Sequence, residues 1–145
     1  MSRTGLAVFD RTLQVTNHWL NELIADLDLA DRRAAYDVLR VVLHALRDRL
    51  VVNEAVDLAA QLPLLVRGIY YEGWVPAKTP TRERRQEQFL AHIGEALPAN
   101  IGISPADAVF AVFAMLETHI SEGEMEQIYG MLPAEIRALR PTVVD

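Results

Sequence analysis

The chain contains no cysteine among its 145 residues. This absence excludes disulfide frameworks, thiolate metal sites and a cysteine nucleophile within the chain. Aromatic residues make up only 7% of the sequence, and 14 basic residues face 20 acidic ones, which gives a net charge of −6. A broad basic surface that follows nucleic-acid phosphates is therefore disfavoured, although a local basic segment is not excluded.

Long apolar runs are also missing. The longest uncharged apolar stretches, such as residues 108–116, fall far short of the ~20 residues that span a bilayer. Residues 1–8 carry one arginine and no extended apolar segment, so they do not have the pattern of a signal peptide. We therefore expect a cytoplasmic protein with no membrane partner.

The common catalytic signatures are absent. The sequence has no dinucleotide-binding or phosphate-loop glycine pattern, no G-x-S-x-G and no H-E-x-x-H. It also lacks the Glu-x-x-His step that di-iron helical bundles use. His18 with Glu22, His92 with Glu95, and Glu117 with His119 are short-range pairs, and each is expected to be solvated. We predict no catalytic residue, no metal and no cofactor.

What the sequence does contain is an internal repeat. Sliding the chain along itself superimposes residues 37–67 on residues 107–137 without a gap, and it preserves identities that include Glu54 with Glu124, Leu62-Pro63 with Leu132-Pro133, and Arg67 with Arg137. A self-match at a fixed period indicates a duplicated structural unit. We predict one domain over residues 1–145, with repeat one at about 5–72, a connection at 73–81 and repeat two at about 82–140.

Three- and four-residue spacing of apolar positions predicts an all-α helical bundle, with about three helices in each repeat. The first helix is expected from about residue 4 or 5 to 28. Ser104-Pro105 and Ser121-Glu122-Gly123-Glu124 are typical helix starts, and Asn53 is the expected N-cap of the third helix. Pro63 is expected to open a short helix that ends near Tyr71. Residues 98–103 are expected to form a loop, and Pro141 to begin a tail.

The two copies differ along their second helix. The first copy has Arg40, His44 and Arg47 where the second has Phe110, Ala114 and Glu117. Helix 108–116 is consequently apolar on nearly every side, so it is expected to be buried, either at the centre of the monomer or partly against another chain. His44 is expected to be exposed and paired with Asp48 one turn later.

One segment combines aromatic and basic residues. Its members are Tyr70, Tyr71, Trp74, Lys78, Arg82, Arg84 and Arg85. Arginine with tryptophan or tyrosine is the composition favoured at protein contacts. These seven residues are our candidate contact for a partner or ligand. The structural alternative is that the aromatics cover one end of the bundle and the arginines begin a helix.

Several segments together resemble a known bacterial family. They are Thr16 to Leu20, Leu43 to Leu50, Ala60 to Pro63, Leu65 to Trp74, His119 to Glu124 and Leu132 to Arg137. The family is that of domain of unknown function 2267, and the resemblance covers nearly the whole chain. It implies a small bacterial all-helical protein, and it supplies no catalytic residues.

Three functions remain open from the sequence. The first is a non-enzymatic interaction module that binds a protein partner or itself, through residues 70–74 or through the apolar helix of the second repeat. The second is a ligand-binding or enzymatic bundle with a site between the repeats, where Tyr70, His44 or His92 would converge. The third is nucleic-acid binding through residues 78–85, which the net charge disfavours.

Overall fold

A computed structural model describes residues 2–141. Within that range the protein is all-α and contains no strand. The eight helices are α1 (Ala7–Leu27), α2 (Arg32–Arg47), α3 (Val52–Ala60), α4 (Leu64–Tyr71), α5 (Gln86–Ala96), α6 (Pro105–His119), α7 (Glu122–Met131) and α8 (Ala134–Arg137). Most of the predicted tail lies outside the described residues. No helix in the described range is long and apolar enough to cross a bilayer.

Side-chain caps explain where several helices begin. Asp31 accepts a hydrogen bond from Ala34 N at the start of α2. Ser104 accepts one from Asp107 N at 3.1 Å, and Ser121 accepts one from Glu124 N at 3.2 Å. These oxygens satisfy amide groups that have no partner within the helix, so the predicted starts of α6 and α7 are confirmed.

Two local predictions were wrong. The N-cap of α3 is Val51 rather than Asn53, because the chain turns into the helix directly after the buried Leu50 and needs no side-chain cap. At α7 only half of the expected capping box forms. Ser121 N donates to Gln61 Oε1 rather than to Glu124, whose carboxyl faces Glu54 instead.

Helix α6 lies at the centre of the molecule. It packs against α1, α2, α5 and α7, and its buried side chains include Val109, Val112 and Phe113. Phe110 is the exception, with 54% of its surface exposed. The prediction that an all-round apolar helix would be buried is therefore confirmed, and most of α6 is unavailable to another chain.

At the offset that relates the repeated sequences, the starts of α3 and α7 coincide, as do those of α4 and α8, and particular bonds recur. Each half contains four helices rather than about three, because Pro63 and Pro133 separate α4 from α3 and α8 from α7. Arg67 donates to the carbonyls of Ala59, Ala60 and Leu62. Arg137 donates to Tyr129, Gly130 and Leu132, which are the same three positions in the second half.

Candidate functional site: a basic cleft between α2 and α5

A cleft of about 420 Å³ lies between the second half of α2, residues 73–81 and α5. This volume is within the usual range of small-ligand sites. Six cationic or imidazole side chains line the cleft: Arg40, His44, Arg47, Arg49, Lys78 and His92. Only two carboxylates, Asp48 and Glu83, lie among them. A protein of net charge −6 thus gathers four of its 14 Lys and Arg residues around one concavity.

The connection between the halves forms one wall of the cleft. Gly73 turns the chain with φ 74°, a conformation that is open to glycine, and a short 3₁₀ turn follows at Pro76–Lys78. Thr81 N then donates to Asp48 O at 2.8 Å, which fastens the connection to the end of α2. Lys78 is thereby held at the cleft although it lies outside the main helices.

Arg47 and Arg49 are structural members of the cleft. The Arg47 side chain, 5% exposed, donates to Asp48 Oδ1 and to the carbonyls of Tyr70 and Glu72, all at 2.8–2.9 Å. Arg49 donates to Ala45 O and Glu83 Oε2, both at 3.1 Å. Burial lowers the pKa of Arg49, but a guanidinium remains charged in proteins. Both residues contribute positive potential, and Arg49 Nε is buried without a hydrogen-bond partner among the described residues.

Arg40 and Lys78 retain uncommitted donors. Arg40 Nε donates to Glu72 Oε1 at 2.8 Å, and its side chain is 40% exposed. Its two terminal nitrogens, and Nζ of the exposed Lys78, have no hydrogen-bond partner within residues 2–141. These groups are the cleft's available donors for an incoming anion.

The two histidines of the cleft differ in their roles. His44 Nε2 lies 2.7 Å from Ile69 O, and burial is the main reason that the pKa of His44 falls below its usual value, with Arg47 and Arg40 adding to the effect. His92 Nε2 instead pairs with Glu83 at 2.7 Å and is half exposed. The prediction that His44 would be an exposed partner of Asp48 was wrong, because the chain from α4 covers that face of α2.

The three aromatic candidate residues differ in how far they are buried. Tyr70 is fully buried and donates to Ala55 O at 2.8 Å, so it belongs to the core and is not accessible to a partner. Burial raises its pKa well above the usual value for tyrosine. Tyr71 and Trp74 stack with ring centroids 5.5 Å apart at the end of α4, and both are half buried. Tyr71 and Trp74 therefore cover one end of the bundle, close to the cleft but not within its wall.

The four basic candidate residues also lie in different places relative to the cleft. Lys78 lines the cleft, whereas Arg82, Arg84 and Arg85 are exposed outside it and form no ion pair within the described chain. Arg40, Arg47 and Arg49 were not among the predicted contacts, and His44 was named only in the hypothesis of a site between the repeats. A signal for two of them was present in the sequence, since Arg40 and His44 are polar where the second repeat has the apolar Phe110 and Ala114.

A second histidine cluster lies between α1 and α6. Glu22 accepts from Nε2 of both His18 and His119 at 3.0 Å, and the His119 ring stacks on Trp19 at a centroid distance of 4.7 Å. Within residues 2–141, no group of three or more His, Cys, Asp or Glu side chains is arranged to hold a metal ion. The cluster joins two helices of the core.

A comparison with protein-family models matches residues 16–139 to the family described as "Uncharacterized conserved protein (DUF2267)". No curated protein matches the chain significantly. The family match spans all eight helices except the first turns of α1, and it includes every residue of the basic cleft. The chain therefore belongs to the DUF2267 family.

Proposed function

We propose that this protein is a non-enzymatic binding protein whose ligand is a small anion held in the basic cleft. The observation that carries the proposal is the concentration of Arg40, Arg47, Arg49 and Lys78 around one concavity in an acidic protein. Cations placed in a partly desolvated cleft attract anions more strongly than they would on an open surface. Arg40 and Lys78 supply the donors that would contact the ligand.

The order of the sequence-based hypotheses changes accordingly. A site between the repeats was the second hypothesis, and the positions of His44, His92 and Lys78 support it. Two parts of the surfaces named for an interaction module have less support, since Tyr70 is buried and most of α6 is central. Nucleic-acid binding through residues 78–85 is disfavoured by the net charge of −6, and Arg82, Arg84 and Arg85 of that segment are exposed.

Nuclear magnetic resonance titration with inorganic phosphate at constant ionic strength tests the proposal. Phosphate is expected to shift amide signals of α2, residues 73–81 and α5. Lys78→Gln should weaken this binding about tenfold, since a charge-assisted hydrogen bond is lost. Arg82→Gln removes an equal charge outside the cleft and should change affinity less than about twofold, because solvent screens distant surface charges.

Comparing these two substitutions decides whether the cleft is the phosphate site. Equal weakening by Lys78→Gln and Arg82→Gln would mean that phosphate responds to net charge alone, and the cleft would not be the site. Shifts confined to residues outside α2, 73–81 and α5 would have the same meaning.

Self-association is a second candidate, because α1 exposes an apolar stripe. Leu6, Phe9 and Leu13 follow helical spacing and are 49%, 49% and 37% exposed, and Leu64 and Leu65 extend the surface. The bond from Leu65 N to Thr12 Oγ1 at 2.9 Å brings α4 beside this stripe. Light scattering over a wide concentration range tests it, and a strict monomer at every concentration would eliminate this candidate.

We also propose that the two halves descend from one duplicated four-helix unit within a single domain. The equivalent bonds of Arg67 and Arg137, and the coinciding starts of α3 with α7 and α4 with α8, support this origin. In this proposal α2, the second helix of the first copy, kept polar residues and forms one wall of the cleft. The second helix of the second copy, α6, lost most of them and lies in the core. A bacterial, cytoplasmic setting completes the proposal and stays a prediction from the sequence.

A further inference from the structure

His44 presents an uncharged hydrogen-bond acceptor in a cleft whose charged side chains are mostly cationic. Its Nε2 lies 2.7 Å from Ile69 O, and a carbonyl oxygen can only accept, so Nε2 carries the ring proton. Burial, together with the nearby charges of Arg47 and Arg40, outweighs the Ile69 bond and lowers the pKa of His44, which favours the neutral ring. Nδ1 therefore carries a lone pair and no hydrogen.

The cleft has other acceptors, but its carboxylates are partly engaged and their negative charge disfavours an anion beside them. Asp48 Oδ1 accepts from Arg47, and the two oxygens of Glu83 accept from Arg49 and His92. His44 Nδ1, in contrast, has no hydrogen-bond partner among the described residues. Because His44 lines the cleft and Nε2 is directed to α4, Nδ1 is the ring nitrogen that a ligand can reach.

From this arrangement we infer that the ligand is an anion that also carries a hydroxyl group, which donates to His44 Nδ1 while Arg40 and Lys78 hold the negative charge. The inference rests on the proposed function, because it assigns a ligand class to the same cleft. A polyol phosphate has this chemistry, since its phosphate is the anion and its neighbouring hydroxyls are the donors. No covalent step is involved.

Two probes that differ only in hydroxyl groups test the inference. Glycerol 3-phosphate and propyl phosphate have the same charged group and the same three-carbon chain. The full-length protein is expected to bind glycerol 3-phosphate about tenfold more tightly, which is the contribution of one ordinary hydrogen bond. Titration followed by nuclear magnetic resonance gives both dissociation constants, and it reports the His44 ring nitrogens directly.

Substitutions at His44 separate recognition from structure. His44→Phe removes the acceptor and should reduce the preference for glycerol 3-phosphate over propyl phosphate to less than about twofold. His44→Gln should restore part of the preference, because its amide nitrogen can donate to Ile69 O while its oxygen accepts from the ligand. Circular dichroism of both variants confirms that the helices are retained.

The possible results distinguish the two levels of the proposal. If both phosphates bind equally and Lys78→Gln weakens both, the anion site stands and the role of His44 is refuted. If neither phosphate binds, the proposed function and the inference both fail. An unchanged preference in His44→Phe would also refute the inference, because the hydroxyl would then be recognised by another group.

Discussion

Two glutamates at equivalent positions of the two halves face each other where α3 meets α7. Glu54 is 7% exposed, and its Oε1 atom is buried without a hydrogen-bond partner in the described chain. Glu124 Oε1 is in the same situation. Burial, the close approach of the Glu54 carboxyl and the negative charge of Asp57 raise the pKa of Glu124 to about 7. The folded state therefore favours the protonated form of Glu124.

The sign of the pH effect follows from this raised pKa. In the unfolded chain Glu124 loses its proton near its ordinary pKa of 4.5, whereas the folded protein holds the proton up to about pH 7. Stability is consequently highest below pH 4.5 as far as this group is concerned, and it decreases between pH 4.5 and 7. Above pH 7 the penalty is complete and constant.

Glu124→Gln should remove this penalty. A shift of this size corresponds to at most about 3 kcal/mol, and because Glu124 is partly exposed to solvent we expect about 1 kcal/mol. The glutamine amide can in addition donate to the unpartnered Oε1 of Glu54. The variant should be more stable than wild type by about 1 kcal/mol at pH 8, and equal to it within error near pH 4.5.

Urea denaturation at both pH values measures the difference, and Glu122→Gln is the matched control. Glu122 and Glu124 both lie in the first turn of α7, where a negative charge interacts favourably with the helix dipole. Each substitution loses that interaction, but only Glu124→Gln relieves the carboxyl pair. The reasoning is refuted if Glu124→Gln destabilises the protein at pH 8 as much as Glu122→Gln does.

Further substitutions examine contacts that the fold uses. Arg67→Met and Arg137→Met each remove three hydrogen bonds to the carbonyl end of the preceding helix. Each should therefore lower the free energy of unfolding by about 1–2 kcal/mol. A clear difference between the two losses of stability would count against the structural equivalence of Arg67 and Arg137. Tyr70→Phe should cost about 1 kcal/mol through loss of the bond to Ala55 O without changing phosphate affinity. A large loss of phosphate binding would show that Tyr70 acts in the site after all.

The helices were predictable because their signals are local. Apolar spacing identified them, and Ser104 and Ser121 marked two starts through side chains that bond within three residues. Glu124 followed the same local pattern but found Glu54 instead, since packing of α7 on α3 brought the two carboxyls together. The local sequence around Glu54 or Glu124 does not predict a contact between residues of the two halves.

The cleft was not predictable in the same way. Arg40, His44 and Arg47 have the spacing of a solvated helix face, and that interpretation holds for an isolated amphipathic helix. They become the wall of a cavity only when the connection at 73–81 and α5 fold against α2, which the bond from Thr81 N to Asp48 O secures. Tyr70 was misassigned for a related reason, because its hydroxyl partner belongs to α3.

A crystal structure of the protein grown with glycerol 3-phosphate is the most direct test of the basic cleft as an anion site. We expect the phosphate to lie within hydrogen-bond distance of Lys78 Nζ and the terminal nitrogens of Arg40, with a ligand hydroxyl near His44 Nδ1. Phosphate bound elsewhere on the protein, with the cleft occupied by water alone, would contradict the proposal.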